Sequence, residues 1–112
     1  GSTLLLQALP GTQGIYGMLT GFLIIWRIGL IGGSVVDLTL QQGLAVLFAA
    51  MPIAFGGLLS AIMQGRAAAS GVYMIAKRPE EVGKAIVYAV MVETYAVLAL
   101  LMSIITLFYI PL

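Results

Sequence analysis

Glu93 is the residue that most invites chemistry. It is the only charged residue between Ala85 and Leu112, in the middle of a long apolar run. A carboxylate at that depth of a membrane is expensive, on the order of 2.5–3.5 kcal/mol on insertion scales for the similarly placed Asp. It needs a partner: a cation, a proton or an arginine. On the first apolar segment, Leu9, Thr12, Gln13 and Tyr16 stand at i, i+3, i+4 and i+7, so all four project from one helix face. The middle apolar segment adds Gln64. One carboxylate, two side-chain amides and two hydroxyls can therefore converge in mid-membrane. That is an oxygen set with one negative charge, as hard cations require, and a single carboxylate neutralises a monovalent ion such as Na+. A bound proton is the alternative, but H+ needs only the carboxyl and one or two hydrogen bonds, which leaves the amides surplus. A static salt bridge between Glu93 and Arg66 is the third option. By the helical rise, Glu93 lies about 14 Å past Lys84 and Arg66 about 15 Å before Ala76, at similar depths. Pro10 takes the helical donor away from the carbonyl of Leu6, so backbone oxygens near that turn can become ligands or can simply mark a packing kink.

Other chemistries are excluded. The chain has no Cys and no His, which removes disulfides, the usual zinc sites, thiol nucleophiles and His bases. It has no Gly-rich lysine loop for nucleotide phosphates. A net charge of +1 cannot neutralise a phosphate track, so nucleic acid is not a partner.

The elements that must position these residues follow from where charge is scarce. Of 112 residues 62% are hydrophobic and 8% charged, against about 25% charged in a soluble domain. This predicts an all-α membrane protein. A span needs about 20 mostly apolar residues, and three segments qualify, at about 3–28, 44–76 and 83–109, within one domain, 1–112. The first lacks a basic leader and carries Gln7, Thr12, Gln13 and Tyr16, which argues against a cleaved signal peptide. Lys77, Arg78 and Lys84 place the second loop in the cytoplasm by the positive-inside rule, with the loop near 29–43 and the C-terminus outside. Pro79-Glu80-Glu81 suits a helix start.

A shift of 82 residues lays Gly1 on Gly83, Leu4-Leu5-Leu6 on Ile86-Val87-Tyr88 and Thr12 on Thr94. The chain reads as helices 2–4 of a duplicated helical hairpin, with the first helix missing. Gly57, Ala61, Gly65 and Ala69 recur every four residues on the middle segment, broadened by Gly56, Ser60, Ala67 and Gly71. Small residues let membrane helices approach closely. The strip is either a contact inside a single protomer or the inner wall of a ring.

The run Leu9-Pro10-Gly11-Thr12-Gln13-Gly14-Ile15-Tyr16-Gly17 resembles the signature of the rotor-ring proteolipid (c/K type) of V-type ATPases. So do Met91-Val92-Glu93-Thr94-Tyr95-Ala96, Gln64-Gly65-Arg66-Ala67-Ala68-Ala69-Ser70-Gly71 and Ala76-Lys77-Arg78-Pro79-Glu80. The resemblance covers nearly the whole chain and is nearest to the sodium-pumping bacterial branch, whose proteolipid has four helices. It implies that Glu93 is the ion-binding carboxylate. It further implies that Thr12, Gln13 and Gln64 give side-chain oxygens, Leu9 gives its backbone carbonyl, and Tyr16 hydrogen-bonds Glu93. Gly11 would mark a lost second carboxylate.

The expected function is a membrane rotor subunit, one of several copies in a closed ring. It binds one Na+ at Glu93 and carries it through the membrane by rotation, in a sodium-transporting V-type ATPase whose hydrolysis occurs in other subunits. The chain is then no enzyme on its own. Its partners are its own copies, a stator protein of the a/I type that displaces the ion with an Arg, a central-stalk protein and lipid, in a bacterial plasma membrane. The rivals are a proton-translocating rotor of the same fold, and a membrane scaffold or channel in which Glu93 is structural. Arg66, two positions from Gln64, points elsewhere and is expected to snorkel along the ring interior or to meet lipid headgroups there.

Overall fold

In the computed structural model the chain is described over Gly1–Leu112, the side chain of Ser2 left aside. Helix α1 (Ser2–Ala8) runs into a 3-10 turn at Leu9–Gly11 and then α2 (Thr12–Arg27); α3 spans Leu40–Lys77; a second 3-10 turn, Pro79–Glu81, leads into α4 (Val82–Tyr109). Three helical stretches are long and apolar enough to cross a membrane: Thr3–Arg27, Leu40–Lys77 and Pro79–Tyr109. The expected class, an all-helical membrane protein of three spans, is the class observed.

The first span is broken where its sequence demands it. Pro10 cannot donate to the preceding turn, and the backbone tightens there into the 3-10 turn. The Leu9 carbonyl, freed from a regular helical ladder, accepts the N–H of Thr12.

The middle span starts at Leu40 rather than near 44, because Thr39 and Gln42 form a capping box: Gln42 N–H donates to Thr39 Oγ1 at 3.1 Å, and Thr39 N–H to Gln42 Oε1 at 3.0 Å. At 38 residues it is about 57 Å long, far more than the ~30 Å hydrocarbon core, and it sets the 58 Å long axis of the molecule. Pro52 interrupts its hydrogen-bond ladder. Beside it the N–H of Ile53 donates to the fully buried Ser103 Oγ of α4 at 3.0 Å, tying the irregular turn to its neighbour.

The loop between α2 and α3 turns on Gly29, whose φ is +83° and whose missing Cβ would lie 1.9 Å from the Ser34 carbonyl oxygen; only glycine fits. At the opposite end, Pro79 opens the turn into α4, with Glu80 and Glu81 in the first turn. Lys84 Nζ meets Glu81 at 3.1 Å, the sole ion pair among the described residues.

Packing is layered along the long axis. Leu6, Leu9, Ala68, Ile75, Ala85 and Ala89 form one buried apolar cluster; Val46, Ala49, Leu107 and Ile110 form another toward the far end. Between them lie the buried polar residues Gln13, Ser60 and Gln64, together with the buried Ile53 and Ala96. α3 packs antiparallel to α4, and α2 runs parallel to α4. The α2–α4 register is close to that of the repeat: Thr12 meets Glu93, and Arg27 Nη2 meets the Ile110 carbonyl at 3.0 Å, at separations of 81 and 83 residues, while Tyr16, one turn after Thr12, reaches back to the same Glu93.

The small residues divide between two tasks. A Cβ on Gly56 would lie 2.6 Å from Ala99 Cβ, so glycine there sets the approach of α3 to α4. Gly57, Ser60, Gln64, Ala68 and Gly71 are buried against the other helices, whereas Ala69 is exposed and Ala61 and Gly65 half-buried. The strip thus turns from an internal contact to an outer face along the helix. The outward faces of α2 and α4 (Ile15, Met18, Phe22, Leu98, Leu101, Ile105) are apolar and exposed, as lipid or an apolar neighbour requires.

Candidate cation site

The polar layer is built from three helices. Glu93 projects from the middle of α4 toward α2, where two residues one turn apart meet it. The Tyr16 hydroxyl donates to Glu93 Oε1 at 2.9 Å, and the Thr12 hydroxyl lies against the same oxygen. Thr12 is the first residue of α2, directly after the 3-10 turn. Its Oγ1 is also 2.9 Å from the Leu9 carbonyl oxygen and 3.3 Å from Gln13 Oε1. Three acceptors therefore crowd one hydroxyl, which has a single proton to give. Leu9 O, Thr12 Oγ1, Gln13 Oε1 and Glu93 Oε1 form an oxygen cluster with more lone pairs than protons, around one carboxylate. Thr20 supports the helix beneath it, donating to the Tyr16 carbonyl at 3.0 Å.

Behind this cluster the amides are fixed in order. Gln64 has no exposed surface. Its Nε2 donates to the Ala89 carbonyl at 2.9 Å, and a carbonyl can only accept. Its Oε1 must then face the other way, where Gln13 Nε2 donates to it at 2.7 Å. Gln13 Nε2 donates also to Ser60 Oγ at 3.2 Å, and Ser60 gives its own proton to the Val92 carbonyl at 3.0 Å. With both N–H groups of Gln13 occupied, its oxygen is left on the side of Thr12 and Glu93.

Of the residues singled out from sequence, the structure brings Leu9, Thr12, Gln13, Tyr16 and Glu93 together. Gln64 stands one layer behind, its oxygen on Gln13 rather than on Glu93. Arg66 is exposed and makes no ion pair with Glu93, so the static salt bridge does not form. Ser60 reads in the sequence only as a small residue; the signal that points to it is its four-residue spacing to Gln64, which puts both on one face. Among the described residues no three His, Cys, Asp or Glu gather as a metal centre.

Glu93 is half-buried. An open cleft of about 310 Å³, lined by Tyr16, Val90, Glu93, Thr94, Val97 and Leu98, reaches it from the apolar outer face. The site lies at the flank of the protein, not in a channel between its helices.

Antiparallel apolar helices carrying a lone carboxylate in mid-span, opened to the outer face and ringed by neutral oxygens, define a small membrane proteolipid. Residues 47–106 match the family of the ATP synthase C subunit, and the chain belongs to that family. It is 48% identical over 103 residues to the V-type sodium ATPase subunit K of Enterococcus hirae, an alignment covering 92% of this chain and 62% of that protein. It is 36% identical over 104 residues to the A-type ATP synthase subunit K of Methanocaldococcus jannaschii, covering 93% and 44%. The chain thus spans less than two thirds of the length of either relative.

Proposed function

We propose that this chain is a rotor subunit of a rotary, V-type ATPase and that it carries one Na+ at Glu93. The observation that carries the reading is the crowding at Thr12 Oγ1, where the oxygens of Leu9, Gln13 and Glu93 converge on one hydroxyl proton. With a proton on Glu93, two protons serve three contacts, and one oxygen, of Leu9 or of Gln13, is left against the Thr12 hydroxyl without one. A monovalent cation satisfies all of them and neutralises the one carboxylate. The sodium coupling in the name of the E. hirae relative supports the choice of ion.

In this reading Glu93 supplies the charge. Leu9 O, Thr12 and Gln13 supply neutral oxygens, and Gln64 supplies its oxygen either directly or through Gln13. Tyr16 holds Glu93 against α2 when the site is occupied. The neutralised site can then pass through lipid, where a bare carboxylate is costly. Copies of the chain form the ring, and the exposed apolar faces of α2 and α4 are the surfaces on which neighbours and lipid would sit. A stator protein exchanges the ion, a central-stalk protein links rotation to hydrolysis elsewhere, and the chain itself catalyses nothing. The membrane is a bacterial plasma membrane.

Carbodiimide labelling of Glu93 with and without sodium, from pH 5.5 to 8.5, tests this. Carbodiimides attack the protonated carboxyl. If Na+ and H+ compete for Glu93, sodium protects, and protects better as pH rises and the proton is the weaker competitor. Labelling indifferent to sodium would make Glu93 a proton carrier. No labelling at any pH would make it a structural group.

A further inference from the structure

Resting on the sodium reading, we propose that Ser60 is a positioning residue: it locks the Gln13 side-chain amide so that oxygen, not nitrogen, faces the ion. A glutamine amide is nearly symmetric in shape but opposite in polarity at its two ends, and a flip would present N–H donors to a cation. What forbids the flip is the partner of the nitrogen. Ser60 Oγ spends its only proton on the Val92 carbonyl, at 3.0 Å, so toward Gln13 it can only accept. Gln13 Nε2 lies 3.2 Å away and donates. Gln64 Oε1 takes the second Gln13 proton at 2.7 Å, itself oriented by the Ala89 carbonyl.

Both anchors are backbone carbonyls of α4, at the residue before Glu93 and one turn before it. The helix that carries the carboxylate thereby dictates the polarity of an amide on a different helix. Ser60 and Gln13 are each more than nine-tenths buried, so water does not offer either amide end an equal partner. Ser60 makes no hydrogen bond to Glu93 or to the oxygen cluster; its two partners are the Gln13 amide and the Val92 carbonyl.

The test measures, for the chain in its own membrane assembly, the sodium concentration that halves carbodiimide labelling of Glu93. Ser60→Ala leaves one Gln13 N–H unpaired, and the half-protecting concentration is expected to rise about tenfold, equivalent to ~1.4 kcal/mol. The sodium-free labelling rate at the same pH is expected to stay unchanged, because Glu93 keeps Thr12 and Tyr16. Ser60→Thr retains the hydroxyl beside the open cleft lined by Gly56, Ser60 and Val92 and is expected to keep the original midpoint. Ser60→Cys, close in size but a poor hydrogen-bonding partner, serves if the alanine variant does not assemble, with a rise in the same direction. A midpoint unmoved in Ser60→Ala, or in Ser60→Cys, overturns the proposal while the sodium reading stands. So does a shift accompanied by altered sodium-free labelling or equally large in Ser60→Thr, which would mark a plain packing role. Failure of sodium to protect the unaltered protein overturns both.

Discussion

Tyr16 reaches from α2 to α4 and gives its phenolic proton to Glu93 Oε1 at 2.9 Å. The same carboxylate oxygen faces Thr12, one turn earlier on α2. The carboxylate is thus folded inward against its own protomer, although it stands on the flank where the open cleft begins.

Replacing Tyr16 by Phe removes that bond and little else, since the ring stays. Hydrogen bonds to a charged group are worth about 1.5–3 kcal/mol, and part of that is recovered by water entering the cleft. Sodium retention is expected to weaken about tenfold, with faster carbodiimide labelling at limiting sodium. Labelling kinetics of Tyr16→Phe against the unaltered protein provide the measurement; identical kinetics would leave Tyr16 without a part in holding Glu93.

Glu93→Gln is expected to abolish sodium binding and labelling while the helices and their assembly persist. The reason is the absence of a cationic partner among the described residues: no buried arginine or lysine is left uncompensated when the charge goes. Thr12 and Tyr16 donate to an amide oxygen as they do to a carboxylate. Sodium-22 binding and native electrophoresis read the two halves separately. A variant that still transports would restore the scaffold reading.

Much of this arrangement is legible without coordinates. Charge is so scarce that the spans define themselves, and the spacing of Leu9, Thr12, Gln13 and Tyr16 forces one face. What the spacing cannot say is which end of an amide points where. That depends on the carbonyls of Ala89 and Val92, which present themselves only after α3 and α4 have packed. For the same reason Gln64 is recognisable as a polar residue at the right depth, but not as one layer behind Gln13. Ser60 is invisible because serine reads as a small packing residue on a strip of glycines and alanines. α3 starts as early as Leu40 because a capping box, Thr39 with Gln42, is a side-chain event inside what hydropathy treats as loop.

Gly56 permits a close approach of α3 to α4 at Ala99, and filling it tests that packing directly. Alanine at Gly56 gains about 1 kcal/mol of helix propensity. Its Cβ, however, meets Ala99 Cβ at 2.6 Å, and overpacking of this kind costs about 1–3 kcal/mol. Gly56→Ala is therefore expected to lower the thermal midpoint of the detergent-solubilised protein. Adding Ala99→Gly vacates the same space, and the double variant is expected to return toward the original midpoint. A single variant as stable as the parent would mean that α3 and α4 are free to part there.

Arg66 decides between two pictures of the middle helix. Its depth in the span, similar to that of Glu93, invites pairing with it, and a buried pair broken on one side costs about 3–5 kcal/mol. The guanidinium is instead on an exposed face with no carboxylate beside it, away from the face that carries Ser60, Gln64 and Ala68 inward. An exposed cation that neutralises nothing at the site contributes little to it, because its field is screened by whatever polar medium it reaches. Arg66→Gln should therefore leave the half-protecting sodium concentration within about twofold of the original, since one hydrogen bond to a charge, at about 1.5–3 kcal/mol, would already exceed that. Any larger effect is expected in how copies associate, read by native mass spectrometry of the assembly. Loss of sodium protection with the assembly intact would put Arg66 back beside Glu93, and the oxygen cluster at Thr12 would then need a different account.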